Sequence, residues 1–269
     1  MNDLFYIQES EGVQTLKCRP FEEIPFLRHG FSTKRGGISR GDYASMNFST
    51  NKESQEIVDE NYRRFCAANG LPLESLALTQ QTHTTCVREA EGFLKGKGRT
   101  IVGNDVDGLV TKEQGLGLIC FTADCVPILL VDPKAKVIGA VHSGWRGTVG
   151  GIGKKAIERM VALGAEPQNI LAAIGPSIGP CSFEVGPEVQ KEFDTAFGGR
   201  LPAVPSDRAG HTMVDLWSAN EWVLRDGGVA KEHIFKAEVC TFCEHALYYS
   251  HRYTNGRRGS LIGSIAMEE

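Results

Sequence analysis

The strongest constraint on the fold is a strand, a glycine-rich turn, a helix and a second strand that follow one another between residues 137 and 174. Val137 to His142 and Ile170 to Ile174 are short apolar runs typical of buried strands. Between them lie the turn Ser143 to Gly151 and a segment of helical character that ends at Gly164. Strands alternating with helices are typical of α/β proteins, so we expect a mixed α/β architecture.

Other segments fit this architecture. The pattern predicts helices over Gln55 to Ala68 and Asp215 to Asp226, each followed by glycine, and strands over Leu116 to Cys120 and Val126 to Val131. The chain has no low-complexity stretch, Pro/Ser-rich linker or internal repeat. We therefore expect a single domain over residues 1–269.

Composition excludes several classes of protein. The chain has 269 residues, 41% of them hydrophobic, a net charge of −4, 31 glycines and 8 cysteines. It has no three-residue glycine period, too little net charge for a disordered chain and too few cysteines for a disulfide scaffold. It shows no secretion signal, membrane-spanning stretch or broad basic field, so we expect a cytoplasmic protein without nucleic-acid or membrane partners. The oligomeric state stays open.

Polar residues interrupt the apolar runs at three places. Asp124 and Cys125 separate two strand-like segments, where an unpaired carboxylate is costly to bury. His142 ends one predicted strand and His83 follows the apolar run at Leu76 to Thr79. Strand ends are where α/β folds place their sites. The alternative is structural: a turn-capping carboxylate, a small core cysteine and hydrogen-bonded histidines.

Two glycine loops carry arginines. Ser143 to Gly151 contains Arg146 and leads into a helix, where free backbone N–H groups suit an anion. Arg35 precedes Gly36 and Gly37 in a second such loop. Neither loop has the Gly-Lys-Ser/Thr of a Walker A motif. The alternative for both is a turn required only for close packing.

The remaining cysteine pattern is ambiguous. Cys240 and Cys243 form a CxxC pair near His245, which resembles half of a zinc site or a redox motif. No second pair lies at zinc-finger spacing, so the structural interpretation is favoured. Cys181 lies among turn residues and is within reach of a site, but nothing local activates its thiol.

Taken together, the sequence blocks resemble the YfiH family, also described as laccase-domain proteins and purine nucleoside phosphorylases, and in particular its bacterial YlmD-type members. The matching blocks run in order from His29 to Gly259: HGFSTKRGGIS with Met46-Asn47-Phe48, QTHTTCV, NDVDGLVT, TADCVPILLVDP, AVHSGWRGTVGGI, IGPSIGPCSFEVG, and YYSHR with GRRG. The resemblance implies a layered mixed β-sheet fold, similar to that of toxin-type cysteine deamidases.

The resemblance also implies a metal site. Its ligands, which are also the catalytic residues, are His83, Cys125 and His142. Two imidazoles and a thiolate leave a fourth position open, as in catalytic zinc sites. The expected cofactor is Zn²⁺, with Cu²⁺ as the alternative ion.

The activity implied is phosphorolysis of adenosine, inosine or S-methyl-5'-thioadenosine to the base and the ribose-1-phosphate compound, with deamination of adenosine to inosine. The expected partners are purine nucleosides and phosphate. From their chemistry we expect Arg35 and Arg146, with Asn47, to bind substrate or phosphate. Asp107, Asp124 and Cys181 are the candidates for proton transfer or for orienting the ligands, and Asp124 adjoins Cys125 in the chain.

Three other functions are weighed against this one. A Cys–His hydrolase would use Cys125 as nucleophile and His142 as base. Some bacterial relatives are discussed as peptidoglycan editing factors, which suggests an accessory role in the cell wall. A copper polyphenol oxidase is disfavoured, because seven scattered histidines do not readily form a four-copper array.

Overall fold

Two large mixed β-sheets run through the middle of the molecule, whose computed structural model describes residues 3–51, 53–201 and 204–269. In chain order the strands are β1 (Phe5–Ser10), β2 (Val13–Cys18), β3 (Leu27–Ser32), β4 (Ser75–Leu78), β5 (Val87–Glu89), β6 (Gly98–Ile101), β7 (Gly108–Thr111), β8 (Gly117–Thr122), β9 (Val126–Asp132), β10 (Val137–Ser143), β11 (Leu171–Ile174), β12 (Glu184–Val185), β13 (Val204–Pro205), β14 (Thr212–Met213), β15 (Ile234–Lys236) and β16 (Leu261–Met267).

The helices connect these strands and cover the sheets. They are α1 (Arg19–Glu22), α2 (Gln55–Asn69), α3 (Trp145–Val149), α4 (Ile152–Ala162), α5 (Pro187–Phe197), α6 (Leu216–Asp226) and α7 (His251–Thr254). Short 3-10 turns lie at Gly41–Tyr43, Gly92–Leu94, Pro167–Asn169 and Lys231–His233. No helix in the described part of the chain is long and apolar enough to cross a bilayer.

Both sheets combine parallel and antiparallel pairs. Over the described ranges, the larger sheet has seven strands in the order β1-β2-β3-β16-β8-β4-β6, and the second has six in the order β15-β11-β9-β10-β7-β5. The short strands β12, β14 and β13 form a small separate sheet. Strand β9 is antiparallel to both β10 and β11, so β10 and β11 run parallel and are joined by α3 and α4. The predicted strand–helix–strand unit is confirmed.

The layers follow from the alternation of side chains along the strands. On β9, Leu129 and Val131 pack between the two sheets, whereas Ile128 and Leu130 belong to the cluster under α4 and α6. The opposite face of the larger sheet packs against α2, through residues such as Phe65. Helices therefore cover the outer faces of two stacked sheets. This confirms the predicted α/β fold with layered mixed β-sheets.

Most predicted elements form, with one difference. Helix α2 ends at Gly70 in the left-handed conformation (φ 65°), and α6 begins after Asp215, whose side chain accepts hydrogen bonds from two backbone amides. The helix expected after the glycine-rich turn forms as α4, but Trp145–Val149, inside the predicted turn, form a further short helix, α3. Gly151 adopts φ 73° between them, and a left-handed residue interrupts the helical hydrogen-bond ladder.

The register of β9 and β10 determines where the polar strand ends meet. His142 lies opposite Pro127 and Ser143 opposite Val126, so the end of β10 lies beside the start of β9 and next to Cys125. The prediction of one domain over residues 1–269 stays a prediction. It includes Met1, Asn2, Lys52, Pro202 and Ala203, which lie outside the described residues.

Candidate metal centre and adjoining cavity

Three separate segments bring His83, Cys125 and His142 together. His83 lies in the loop after β4, Cys125 immediately before β9, and His142 near the end of β10. One potential ligand atom from each residue lies within 4.8 Å of the other two, and the distance from Cys125 Sγ to His83 Nε2 is 3.8 Å. His142 is buried, Cys125 is half-buried and His83 is exposed. The cluster is therefore open to solvent on the His83 side.

Asp107 holds His142 and the loop of His83 in place through hydrogen bonds. One carboxylate oxygen lies 2.7 Å from His142 Nδ1 and accepts the backbone N–H of His83 at 3.1 Å. The other oxygen accepts the amide and hydroxyl of Thr84 at 2.9 and 2.8 Å and the amide of Thr82 at 3.3 Å. A carboxylate on Nδ1 leaves Nε2 of His142 as the atom that faces Cys125. Such histidine–carboxylate pairs are usual behind metal-binding imidazoles.

The ionised forms of Asp107, Cys125 and His142 stabilise one another. Burial opposes ionisation of Asp107, but hydrogen bonds from His142 and Thr84 lower its pKa to about 2. Burial also works against the Cys125 thiolate, yet the charge of His142 and hydrogen bonds from both histidines lower its pKa to about 6. The reciprocal attraction overcomes burial and raises the pKa of His142 to about 9. Without a metal, the site favours a thiolate and an imidazolium.

Backbone conformation and a glycine allow this close approach. His83 and Asp124 both have positive φ, 65° and 83°, which is uncommon for residues other than glycine and is found at functional turns. Gly144 lies against the cluster. A Cβ at that position would lie 2.8 Å from His83 Cδ2 and 3.2 Å from Cys125 Sγ. Gly144 is therefore needed for space beside the two side chains.

The cluster forms part of the wall of a cavity of about 620 Å³. This volume is within the usual range for small-molecule sites. The residues that line it come from the loop before α2, from α2, from β4 and the loop after it, from β6, from β8 and the loop after it, from β10, and from the segment before β16. They are Phe48, Ser49, Thr50, Asn51, Gln55, Val58, Tyr62, Leu78, Thr79, Gln80, Gln81, Thr82, His83, Arg99, Ile101, Phe121, Thr122, Ala123, Cys125, His142, Arg258 and Ser260. The lining is mixed, with aromatic rings, amides and two arginines.

The two arginines differ in how they are held. Arg99 stacks on the ring of Tyr62 and forms an ion pair with Asp59. Arg258 donates to the Gly259 carbonyl and to Ser260 Oγ, both at 3.1 Å, and its buried Nε has no hydrogen-bond partner among the described residues. Arg258 also has no ion pair in the described part of the chain. Each of the two arginines has one buried nitrogen without a hydrogen-bond partner among the described residues, Nη1 of Arg99 and Nε of Arg258, so the difference between them is the ion pair of Arg99 with Asp59.

Sequence reasoning did not single out the residues that line the cavity on the far side from the cluster. Arg258 lies within the GRRG block, but nothing local distinguishes it from Arg257. Only the exposure of Arg257, against the partial burial of Arg258 in the cavity wall, separates the two. Tyr62 and Phe48 follow the helical and loop pattern of ordinary core residues, and the sequence carries no signal for their second role.

Two polar residues from the sequence prediction are engaged in structural contacts. Asp124 accepts hydrogen bonds from Thr241 Oγ1 at 2.6 Å and from the Arg252 amide at 2.7 Å, so its side chain fastens the C-terminal segment. Asn47 is buried. Its side-chain NH₂ group donates to the Ser49 carbonyl and to the Glu53 carboxylate, and its side-chain oxygen accepts the backbone N–H groups of Ser49 and Ser260. Neither residue is among the described residues that line the cavity, although Asn47 bonds the lining residues Ser49 and Ser260, and Asp124 lies between the lining residues Ala123 and Cys125 in the chain.

The other predicted residues lie elsewhere. Arg35 and Arg146 are exposed, and Arg146 stacks on Trp145 with its guanidinium 4.2 Å from the ring centre. Neither arginine is among the described residues that line the cavity. Cys181 lies with Cys240 and Cys243 in a second cluster of potential ligands. Of the seven histidines, the described structure gathers only His83 and His142 into a metal-type cluster.

The fold and the cluster together define a layered α/β protein with a histidine–cysteine centre at the ends of two strands. The chain belongs to the family whose model is described as multi-copper polyphenol oxidoreductase laccase, which matches residues 28–268. The predicted resemblance to the YfiH family is confirmed.

Several relatives extend over most of the chain. A purine nucleoside phosphorylase of Deinococcus radiodurans is 38% identical over 253 residues, covering 91% of this chain and 93% of the relative. A protein named adenosine deaminase RL5, from an unknown prokaryotic organism, is 36% identical over 82% of this chain and 87% of its own length. The crystal structure of YlmD from Geobacillus stearothermophilus is 34% identical, covers 100% of both chains and superposes with a TM-score of 0.89.

Proposed function

We propose that this protein is an enzyme acting on purine nucleosides. The proposed reactions are phosphorolysis of adenosine, inosine or S-methyl-5'-thioadenosine, and deamination of adenosine to inosine. The observation that carries the proposal is the cluster of His83, Cys125 and His142 in the wall of a nucleoside-sized cavity. The names of two relatives, a purine nucleoside phosphorylase and an adenosine deaminase, support both reactions.

The residues of the cluster fit a zinc ion. Two imidazole nitrogens and a thiolate sulfur are the donors that zinc prefers, and the cavity leaves room for a further ligand. When bound by His83, Cys125 and His142, zinc would supply Lewis-acid chemistry at the cavity wall. Asp107 would hold His142 in the tautomer that keeps Nε2 free to bind, since its carboxylate occupies Nδ1.

Arg258 is the residue that we propose for phosphate. Phosphorolysis requires an anion beside the ribose, and an arginine holds phosphate through several charge-assisted hydrogen bonds. Arg99 is already paired with Asp59, whereas Arg258 has no ion pair in the described structure and keeps a buried Nε for an added ligand. The sequence-based candidates Arg35 and Arg146 lie outside the cavity lining.

The opposite part of the cavity suits a purine. Phe121 supplies partly exposed aromatic surface, and the amide side chains of Asn51 and Gln80 supply donors and acceptors. Purines present a flat apolar face and a polar edge, so this combination would orient the base by its edge while the aromatic ring contacts its face.

The experiment that tests the proposal separates the two reactions. Purified zinc-loaded protein is incubated with adenosine or inosine, with and without phosphate, and the products are separated by chromatography. We expect the free base and ribose-1-phosphate only with phosphate, and inosine from adenosine in either case. Absence of both ribose-1-phosphate and inosine would refute the proposal.

A matched pair of variants tests the phosphate assignment. Arg258→Gln should raise the KM for phosphate about 10–100-fold, the equivalent of losing one or two hydrogen bonds to a charged group. The adenosine deamination rate should change little, because that reaction uses no phosphate. Arg257→Gln, which alters an exposed neighbour outside the lining, is the control. An unchanged KM for phosphate in Arg258→Gln would contradict the assignment.

A second candidate function is a Cys–His hydrolase. It is favoured by one observation: Cys125, His142 and Asp107 form a nucleophile, base and orienting carboxylate, with the pKa of the thiol lowered to about 6. Metal removal distinguishes the two functions. Chelation should abolish the nucleoside reactions, whereas a thiol hydrolase would keep or gain activity because its nucleophile becomes accessible.

We do not propose the copper oxidase activity in the description of the family, because the described structure gathers only two of seven histidines in one cluster. The setting that we propose is the cytoplasm. All 8 cysteines are free thiols in the structure, which is usual in a reducing compartment.

A further inference from the structure

Three cysteines converge at a place remote in sequence from the His83–Cys125–His142 cluster. Cys181 lies in the loop between β11 and β12, and Cys240 and Cys243 lie in the segment after β15. The three sulfur atoms all lie within 4.8 Å of one another, and the distance from Cys181 Sγ to Cys243 Sγ is 3.5 Å. Cys240 is buried, whereas the other two are exposed. The cluster therefore has two accessible thiols and one buried thiol.

Backbone and hydroxyl groups surround these sulfurs in the manner of a ligand site. The Gly179 amide donates to Cys240 Sγ at 3.2 Å, and the backbone of Cys243 also hydrogen-bonds this sulfur. Ser182 Oγ lies 3.5 Å from the sulfurs of Cys181 and Cys243 and 3.6 Å from that of Cys240. Amide N–H groups aimed at a sulfur stabilise its anionic form, which is the form that binds metals.

The local sequence allows this approach. A Cβ at Gly179 would lie 2.7 Å from the ring of Trp217 and 3.2 Å from the Cβ of Cys240, so no larger residue fits without movement. The glycine lets its own amide reach the buried sulfur.

We propose that Cys181, Cys240 and Cys243 form a second metal site, which binds a soft, thiophilic ion and Zn²⁺ in particular. Three thiolates are ligands that zinc prefers, and a tetrahedral ion with Zn–S bonds of about 2.3 Å holds its sulfurs at separations close to those present here. The fourth position falls to the Ser182 hydroxyl or to water. The site would be structural and accessible to exchange, because two of its ligands are exposed.

A disulfide between Cys181 and Cys243, whose sulfurs lie 3.5 Å apart, is the alternative. It would use two of the three sulfurs and leave Cys240, whose sulfur accepts the backbone hydrogen bonds, without a role. A metal ion uses all three.

A bound ion would stabilise the neighbourhood of the first cluster. Cys240 forms a parallel bridge with Ser177, and the next residue, Thr241, donates a hydrogen bond to Asp124. Asp124 directly precedes Cys125 in the chain. The ion would therefore fasten two loops that support the cluster, without taking part in it.

The test removes the first site and then counts the metal that remains. Full-length Cys125→Ser protein is purified under reducing conditions, loaded with Zn²⁺, freed of loosely held ion by gel filtration and analysed by mass spectrometry of elements. We expect about one zinc per chain. Cys125→Ser/Cys243→Ser should retain about none, whereas the control Cys125→Ser/Cys86→Ser, which removes a thiol outside both clusters, should keep its zinc.

A second measurement does not depend on stoichiometry. Cobalt loaded into Cys125→Ser should give thiolate-to-metal absorption that is absent from Cys125→Ser/Cys243→Ser, and zinc should protect Cys181 and Cys243 from a thiol reagent. Circular dichroism checks that the variants are folded. Retention of no zinc by Cys125→Ser, or equal retention after loss of Cys243, would overturn the proposal. Detection by mass spectrometry of a Cys181–Cys243 disulfide in place of bound zinc would also overturn it.

Discussion

The carboxylate of Asp107 is the residue whose substitution tests the site most directly. It is fully buried, and its two oxygens accept hydrogen bonds from the amides of Thr82, His83 and Thr84, from the hydroxyl of Thr84 and from His142. Asp107→Asn preserves the shape of the side chain but replaces one accepting oxygen by an NH₂ group, which can only donate. The new NH₂ group therefore faces N–H groups that also donate, and no hydrogen bond can form between them.

Both orientations of the asparagine are unfavourable. If the amide oxygen stays near His142, the NH₂ group faces the backbone amides of Thr82 and Thr84, and two hydrogen bonds to a charged acceptor are lost. At about 1.5–3 kcal/mol each, the free energy of unfolding should fall by about 3–6 kcal/mol. If the amide is reversed, the NH₂ group faces His142 Nδ1, and the proton of the imidazole moves to Nε2, the atom that would bind the metal.

We therefore expect zinc affinity to fall about 10–100-fold, as is usual when the carboxylate behind a ligating histidine is removed. Affinity is measured by competition with a chromophoric chelator, and stability by urea unfolding of the metal-free protein. Asp105→Asn is the control, since Asp105 is exposed and accepts a single side-chain hydrogen bond, from Thr82. Wild-type affinity and wild-type stability in Asp107→Asn would refute the reasoning.

The pH dependence gives an independent measure of the same carboxylate. The pKa of Asp107 is lowered to about 2 in the folded protein, so its contribution to stability is present above the ordinary carboxyl pKa of about 3.9 and is lost as the pH falls toward 2. Metal-free Asp107→Asn should lack this part of the acid-induced loss of stability. An equal loss of unfolding free energy on acidification in the wild-type and Asp107→Asn proteins would contradict the assigned pKa.

Two further predictions concern neighbours of this carboxylate. In metal-free protein the alkylation rate of Cys125 should rise with pH through about 6, because the charge of His142 outweighs burial and lowers the pKa of the thiol. The substitution His142→Ala should shift this rise toward the ordinary thiol pKa of about 8.5. The same pH profile of alkylation in both proteins would count against an ion pair between Cys125 and His142. Gly144→Ala should weaken zinc binding about tenfold, since its Cβ would lie 2.8 Å from His83 Cδ2. Gly139→Ala, whose nearest neighbours would lie at 3.4 Å, is the control, and equal zinc affinity in the two alanine variants would show that space at Gly144 is not limiting.

Local pattern was sufficient for much of the fold. The helix α2 and the strands β8, β9, β10 and β11 lie close to the predicted segments, because apolar periodicity and glycine stops act over a few residues. The short helix α3, which lies inside the predicted glycine-rich turn, was missed. The glycines of this segment favour a turn on local grounds, whereas α3 packs against α4, α6 and β10, and these contacts form only in the folded protein.

Of the predicted site residues, the structure brings the metal ligands together but places the phosphate candidates outside the cavity. The family blocks named His83, Cys125 and His142, and the structure places these three together, although no comparison tests their role. The phosphate candidates Arg35 and Arg146 rested on glycine loops, a local feature that does not show which way a side chain points. Both side chains are exposed outside the cavity lining, whereas Arg258 lies in it.

The sequence by itself determined that this is an α/β protein of the YfiH family, with polar residues at the ends of buried strands. Those properties depend on neighbours along the chain. Tertiary structure alone decided that Asp107 holds both His142 and the His83 loop, that Arg258 rather than Arg146 lines the cavity, and that three distant cysteines meet. These are contacts between segments far apart in sequence, and only the stacking and register of the two sheets bring them within hydrogen-bonding distance.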